Sequence, residues 1–428
     1  MQQGLILKNL SRYKIGTWAE VIYRNALFYP DSEAFICGSE RITFSQFNAR
    51  VNKLVHALYS LGLKKGDVIG ILSWNCLEYV EIYGAGMKGG FIVSPFNPRL
   101  GQEELKKIID HSGTITLFVD QELGELVGSL RPHLFRIKNV ISLGDSLPGM
   151  IAYTELVRSH SSEEPDILVE EDDPLCIIYT SGTTGLPRGA LYSHRRFMED
   201  TKIRVMHMGI KAGDKHVQIS PLFHIGGNTA FRAFLYVGGS NVIMKSFDPV
   251  ETLRTIQDEK ATHMEIVPTH LIAMLNAPDV DKYDLSSIKM MWYAASPMPL
   301  EVLKKGIQVF GPIFAQGYGQ TESGPNLCHL TKEEHAVFST VREERKRLLS
   351  VGRPCMGVHV RIVDEAGNDV KPGEVGEIIA KGKHIMEGYW HERDGSREAI
   401  INDWLYTGDM GYYDERGYIY IVDRKKDM

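Results

Sequence analysis

Apolar residues recur along this 428-residue chain in two alternating rhythms. After Thr43, the positions Val51, Leu54, Val55, Leu58 and Leu61 fall on one helical face, and Gly62 stops the run. Asp67–Leu72 is a short continuous apolar stretch, which predicts a buried strand, and the next segment, carrying Tyr79, Ile82 and Tyr83, is helical. Phe91–Pro95 and Thr116–Val119 predict further strands around a helix near Glu103–Ile109, and Leu175–Tyr179 predicts another buried strand. The middle third repeats the theme. Val217–Ser220, Asn241–Met244 and His263–Val267 are strands, while Val250–Asp258 and Thr269–Leu275 are helices. Repeated βαβ units of this kind predict an α/β fold of doubly wound lobes, with mainly parallel sheets covered by helices on both faces.

Beyond about residue 350 the rhythm changes. Val358–Val363, Glu377–Ala380 and Tyr418–Val422 are strand-like, joined by turns such as Asp364–Gly367 and Asp414–Gly417. That is hairpin grammar, so a small antiparallel, barrel-like subdomain is expected. The expected units are an N-terminal lobe at 1–170, a second lobe at 171–340, a β subdomain at 341–422 and the start of a hinge at 423–428. The charged run Arg342–Arg347 is expected to be a solvated helix face.

Composition narrows the class. Hydrophobic content of 43% and charged content of 24% suit a soluble enzyme, and a formal charge of −6 gives no support for nucleic acid as partner. Cys37, Cys76, Cys176, Cys328 and Cys355 are scattered without Cys-x-x-Cys spacing, which suits reduced thiols in the cytoplasm rather than a disulfide frame or zinc site. No stretch approaches the ~20 apolar residues that span a bilayer. Peripheral membrane association and a homodimer stay open.

Residues 179–189, Tyr-Thr-Ser-Gly-Thr-Thr-Gly-Leu-Pro-Arg-Gly, hold the densest chemistry. Thr180, Ser181, Thr183 and Thr184 bring hydroxyls, Gly182 and Gly185 let backbone amides face one point, and Arg188 adds a fixed positive charge. Such a run suits a polyanion. It is not a P-loop, because no Lys-Ser or Lys-Thr pair follows the required glycine spacing.

Two further segments carry candidate chemistry, Gln316-Gly-Tyr-Gly-Gln-Thr-Glu-Ser323 and Tyr406-Thr-Gly-Asp409, the second read as a tight turn. Gly376-Glu377 opens a strand, and Asp423-Arg-Lys-Lys-Asp427 lies at the end of the sequence. Taken alone, Glu322 could be an exposed turn acid and Asp409 a cap or turn residue. In this order, after the glycine- and threonine-rich loop, the set closely resembles the adenylate-forming superfamily of acyl-CoA synthetases, firefly luciferase and peptide-synthetase adenylation domains. The resemblance covers essentially the whole chain.

The resemblance implies that a carboxylate attacks the α-phosphate of MgATP, giving an acyl-adenylate and pyrophosphate, and that a thiol, usually of coenzyme A, then displaces AMP. It implies that Thr180, Ser181, Gly182, Thr183, Thr184, Gly185 and Arg188 hold the β- and γ-phosphates. Tyr318, within Gln316, Gly317, Gly319 and Gln320, would stack on adenine. Thr321 would bond the α-phosphate and Glu322 would ligate Mg²⁺. Asp409 would accept from the ribose hydroxyls, helped by Arg424. The family's loop usually carries lysine where this chain has Arg188, which keeps the charge but replaces a mobile ammonium with a planar fork.

Pro221-Leu-Phe-His-Ile-Gly-Gly-Asn228 resembles the segment whose His lies at the mouth of the acyl pocket, so His224, Ile225, Gly226, Gly227 and Asn228 are candidate substrate contacts. His224 alone could instead be a core histidine satisfied by backbone. Gly226 and Gly227 would leave volume for a long or bulky acyl group. No acid lies between Phe223 and Phe234 to pair with a substrate ammonium, and an uncompensated apolar pocket would reject such a cation. Ala294, Ala295, Ser296 and Pro297 resemble the small-residue wall beside adenine and the acyl carbons, with Trp292 read as core.

The pocket segment looks most like fatty-acyl-CoA ligases, with aryl-CoA ligases second. A ligase that loads a carrier-protein thiol and a non-catalytic nucleotide-binding module are the other readings. Lys426 stands where relatives place a hinge residue. The C-terminal domain that would follow it, with its catalytic lysine, is expected to lie outside this sequence, leaving a chain that binds ATP and acid but adenylates poorly.

Overall fold

The helix Phe44–Ser60 obeys its local sequence closely. Thr43 caps it by accepting from the Gln46 backbone N–H, and Gln46 returns the bond to the Thr43 backbone N–H at 2.9 Å, a reciprocal capping box. Val51, Leu54, Val55 and Leu58 are buried, and Gly62 takes the left-handed φ of +86° that releases the chain. This computed structural model describes residues 10–180, 187–335 and 346–427. Arg342–Arg345 of the expected charged helix face lie outside them.

Two large sheets and one small one form the framework. The eight-stranded sheet is parallel through Pro174–Tyr179, Ile92–Phe96, Val68–Leu72, Thr116–Asp120, Asn139–Leu143 and Ile151–Ala152. Every position of Val68–Leu72 is buried, which explains its unbroken apolar run. At the other edge Gly189–Ser193 turns back antiparallel on Pro174–Tyr179, and Gly388–Tyr389 pairs with Gly189–Ser193.

The nine-stranded sheet is parallel from Glu33–Cys37 through Ser240–Ile243, Lys215–Gln218, His263–Ile266 and Met290–Tyr293 to Phe314–Gln320. Antiparallel strands close both of its ends: Glu40–Thr43 at one, Gly324–Leu330 and Arg353–Pro354 at the other. The sheets interleave along the chain. Residues 33–43 join the nine-stranded sheet, whereas 174–193 join the eight-stranded one, so the lobes expected at 1–170 and 171–340 exchange strands. The third sheet is antiparallel and half a barrel, built from Val358–Val363, Gly376–Gly382, Ile400–Ile401, Trp404–Tyr413 and Ile419–Arg424.

One local expectation is corrected. Tyr406–Asp409 is not a tight turn but the middle of the ten-residue strand Trp404–Tyr413. Gly408 takes φ +70° there, and the register slips between Met410 and Gly411, so the glycine marks an irregularity inside a strand. Among the described residues no helix is long and apolar enough to cross a membrane, and all five cysteines are free.

Candidate active site

Two antiparallel strand pairs, one from each large sheet, bring Thr180 and Arg188 on one side and Gln320 to Glu322 on the other to a common cavity. In the first, Tyr179 stands opposite Gly189, and the Thr180 N–H donates to the Arg188 carbonyl at 2.9 Å, closing the neck of the loop. Ser181, Gly182, Thr183, Thr184 and Gly185 lie outside the described residues. In the second, Gln320 stands opposite Gly324, whose φ of +66° lets the chain reverse through Thr321, Glu322 and Ser323. The hairpins are tied together. The Tyr192 hydroxyl donates to the Thr321 carbonyl and accepts from the Gly324 N–H.

A third segment contacts Glu322 and Arg188. The Met386 N–H donates to the Glu322 carbonyl at 3.0 Å, and the Tyr389 hydroxyl donates to Glu322 Oε1 at 2.9 Å. Arg188 lies over the Tyr389 ring at 5.2 Å and pairs with Glu392 at 3.4 Å. This half-exposed arginine is therefore held by weak contacts that a stronger anion can displace.

Asp409 is buried and held by three side chains. The Tyr318 hydroxyl and Gln320 Nε2 each donate to its Oδ2 at 2.6 Å, and Arg424 Nε is 3.0 Å from Oδ1. Gln320 Nε2 also reaches the Thr407 carbonyl at 2.9 Å. The hairpin tip and the long strand Trp404–Tyr413 are thus joined through one carboxylate.

The cavity between these elements has a volume of about 880 Å³. Thr180, Arg188, Gly319, Gln320, Thr321 and Glu322 line one part of it, with Arg424 and Lys426 at the edge. His224, Ile225, Gly226, Gly227, Ala294 and Ala295 line another. His224 precedes the helix Ile225–Val237, and the surrounding protein, with Arg99 second, lowers its pKa, so the ring is neutral near pH 7. The two glycines differ in use. A Cβ on Gly226 would meet open space, whereas one on Gly227 would overlap the Pro221 carbonyl, so Gly227 serves packing. Ala295 holds φ +73°, an uncommon conformation for a residue with a side chain.

Other expected contacts stand apart from the cavity wall. Tyr318 is buried with its hydroxyl on Asp409, and Gln316 accepts from the Tyr293 hydroxyl at 3.3 Å. Gly317 makes room for the Trp292 ring, which any Cβ there would overlap. Asn228 is a core residue whose Oδ1 accepts from Arg232 at 2.7 Å. Ser296 and Pro297 are exposed beyond the wall.

A family model described as "AMP-binding enzyme" matches residues 22–390. The chain belongs to this family. It is 32% identical over 399 residues to the medium/long-chain-fatty-acid–CoA ligase FadD8 of Mycobacterium tuberculosis, covering 91% of this chain and 68% of that protein. It is 30% identical over 427 residues to the fatty acid–[acyl-carrier-protein] ligase ScoC of Streptomyces coeruleorubidus, covering 98% and 79%. Among solved structures, the N-terminal domain of FACL13 from Mycobacterium tuberculosis, with an inhibitor bound, superposes with a TM-score of 0.88 at 26% identity, over 95% of this chain and 99% of that one. The anthranilate CoA ligase AuaEII in complex with anthranoyl-AMP does so at 0.89 and 25% identity, over 96% and 78%. The fold is therefore that of the acyl-CoA synthetases, and this member of the AMP-binding family is an adenylate-forming enzyme.

Among the residues of the cavity wall that sequence reasoning missed, four carry chemistry. Tyr389 and Glu392 arrive through the Gly388–Tyr389 strand pairing, which no local pattern announces. Trp292 is buried as expected but also borders the cavity. Glu265 lines it too, and burial raises its carboxyl pKa against the opposing pull of Arg204. The available signal was a lone acid inside the apolar strand His263–Ile266.

Proposed function

We propose that the chain is the nucleotide- and acyl-binding portion of an ATP-dependent acyl-CoA ligase that activates a carboxylic acid, a fatty acid in the first instance. The observation that carries this reading is convergence. Thr180 and Arg188 from one hairpin, Thr321 and Glu322 from another, and His224 to Gly227 from a third segment all border one cavity.

The chemistry asks for that arrangement. A carboxylate is a poor acyl donor because its leaving group would be oxide, and AMP is a far better one. Its attack on the α-phosphate brings two anions together, so donors and cations must stand where charge builds. Arg188, the Thr180 hydroxyl and the loop that follows would hold the β- and γ-phosphates and receive pyrophosphate. Thr321 would donate to the α-phosphate. Asp409 would meet the ribose hydroxyls, its position fixed by Tyr318, Gln320 and Arg424. Ala294 and Ala295 would border adenine, while Tyr318, set back from the cavity wall, would act by holding Asp409. His224 and Gly226 would line the acyl entrance, and Lys426 would be the hinge.

Among the described residues, no three Asp, Glu, His or Cys side chains gather into a metal cage. A Mg²⁺ would therefore be held by Glu322 together with phosphate oxygens and water, which is how this hard ion binds nucleotides. Tyr389 orients the Glu322 carboxylate for that role.

Relatives named as feruloyl-CoA synthase and as a carrier-protein ligase support a second reading in which the acid is aryl or the thiol belongs to a carrier protein. Two measurements separate these. Acid-dependent pyrophosphate exchange establishes adenylation, and thioester formation with coenzyme A, set against a carrier protein, establishes the acceptor. An acyl-adenylate analogue should bind much more tightly than AMP. Equal affinity would leave only a nucleotide-binding module.

A further inference from the structure

One wall of the cavity carries charge that adenylation does not use. Glu265 is 7% exposed and pairs across the sheet with Trp292, both bordering the cavity. Behind them lies Arg204 of the helix His194–Met208, fully buried. Its Nη1 is 2.9 Å from Glu265 Oε1, and its guanidinium carbon is 4.2 Å from the Trp292 ring centre.

The pair is poorly satisfied. Glu265 Oε1 receives no aligned hydrogen bond, and Arg204 Nε, Arg204 Nη2 and Trp292 Nε1 are buried without a partner. The neighbouring buried pair Asp200–Arg232 is quite different. There Arg232 donates to Asn228, Thr201, Thr229, Asp200 and the Phe197 carbonyl. Buried ions need their remaining lone pairs and protons satisfied, and a pair kept only for structure would be saturated in the same way.

We propose that Glu265 is a specificity-determining acceptor in the acyl pocket, and that the preferred acid carries a hydroxyl on its acyl part that donates to this carboxylate. The proposal rests on the acyl-ligase reading of the cavity and names its substrate class. Arg204 balances the charge of Glu265, so a neutral hydroxyl suits the site better than an ammonium. An unsubstituted chain would leave the carboxylate desolvated with Arg204 as its one neighbour. Sites built to accept a substrate hydroxyl reject the analogue lacking it more strongly than apolar pockets reject an extra methylene.

The test is calorimetry on this chain with non-hydrolysable acyl-sulfamoyl adenosines in matched pairs: 4-hydroxycinnamoyl against cinnamoyl, and 12-hydroxydodecanoyl against dodecanoyl. At least one hydroxylated member should bind about 10- to 100-fold more tightly than its partner. E265Q, which keeps an uncharged acceptor, should reduce that ratio. The double variant R204M/E265L, which removes both charges together, should bring it to one. A ratio of one in both series with the unaltered protein, or an unchanged ratio in the double variant, overturns the proposal. Should the variants fail to fold, the ratio in the unaltered protein decides. Binding of none of the four analogues would overturn the acyl-ligase reading itself, whereas tight binding of both members of each pair would overturn only the hydroxyl preference.

Discussion

Two buried carboxylates, Glu265 in the cavity wall and Asp409 set back from it, differ in their surroundings. Asp409 is held by Tyr318, Gln320 and Arg424, whereas Glu265 has one misaligned guanidinium neighbour. The first joins a hairpin tip to a strand of another sheet and so fixes geometry before any ligand arrives. The second leaves an oxygen uncommitted. A carboxylate tied to several elements holds a site in shape, and one with a single neighbour keeps most of its acceptor capacity for a ligand.

Substitutions can break this contrast. Asp409→Ala leaves the Tyr318 hydroxyl, Gln320 and Arg424 without their acceptor. It should cost about 3 kcal/mol of stability in denaturant melts and abolish measurable nucleotide binding. Arg188→Ala sits on the side proposed for the nucleotide but outside the Asp409 cluster. Pyrophosphate exchange should fall about 10²- to 10³-fold, while the melting midpoint stays within about 0.5 kcal/mol of the parent. Arg188→Lys should recover most of the loss, and failure to do so would mean that the planar fork itself is needed.

Acid probes the Glu265 side. His329 stacks on Trp292 at 4.7 Å, its Nδ1 is 2.8 Å from that of His207, and burial holds its pKa down to about 3. Below the ordinary value of 6.5 the unfolded chain takes a proton that the native ring refuses, so stability is complete above that pH and is lost as pH falls toward about 3. Near about pH 5 this one group costs about 2 kcal/mol. Buried His194 and His216, each also near 3, act in the same direction. A melting temperature flat from pH 7 to 4 would contradict the neutral histidines.

Smaller effects sharpen the comparison. Tyr389→Phe removes the hydroxyl that steadies Glu322. It should weaken apparent Mg²⁺ dependence by a factor of about 3 to 10, equivalent to about 0.5–1.5 kcal/mol, with little change in KM for the acid. Removing Arg204 and Glu265 together should change stability by about 1 kcal/mol or less, since apolar replacements of a buried pair are often neutral. A loss as large as that of Asp409→Ala would show the two carboxylates to be alike.

The sequence disclosed what local rules govern. Thr43 with Gln46, the run Val68–Leu72 and the turn at Asp414–Gly417 each obeyed short-range chemistry and appeared where expected. Thr180, Arg188, Thr321 and Glu322 could be picked out as candidates that border one cavity because glycines, hydroxyls and an acid stand close together in the chain. Tyr389 was not legible, because its contact with Glu322 depends on Gly388 pairing with Leu191. Gly227 was misread for a related reason, since only the returning Pro221 carbonyl shows that its missing Cβ is packing space. Glu265 offered an anomaly without an explanation until Arg204 and Trp292 stood beside it.

The short pairing of Gly388–Tyr389 with residues 190–191 has a consequence for assembly. Arg188 finds its aromatic seat, and Glu322 its hydroxyl donor, only after a stretch some two hundred residues downstream of the first hairpin has been made and has folded back. Closing so long a loop is entropically slow. On the ribosome, the surface proposed to bind the triphosphate should therefore be among the last parts of the molecule to acquire its final shape.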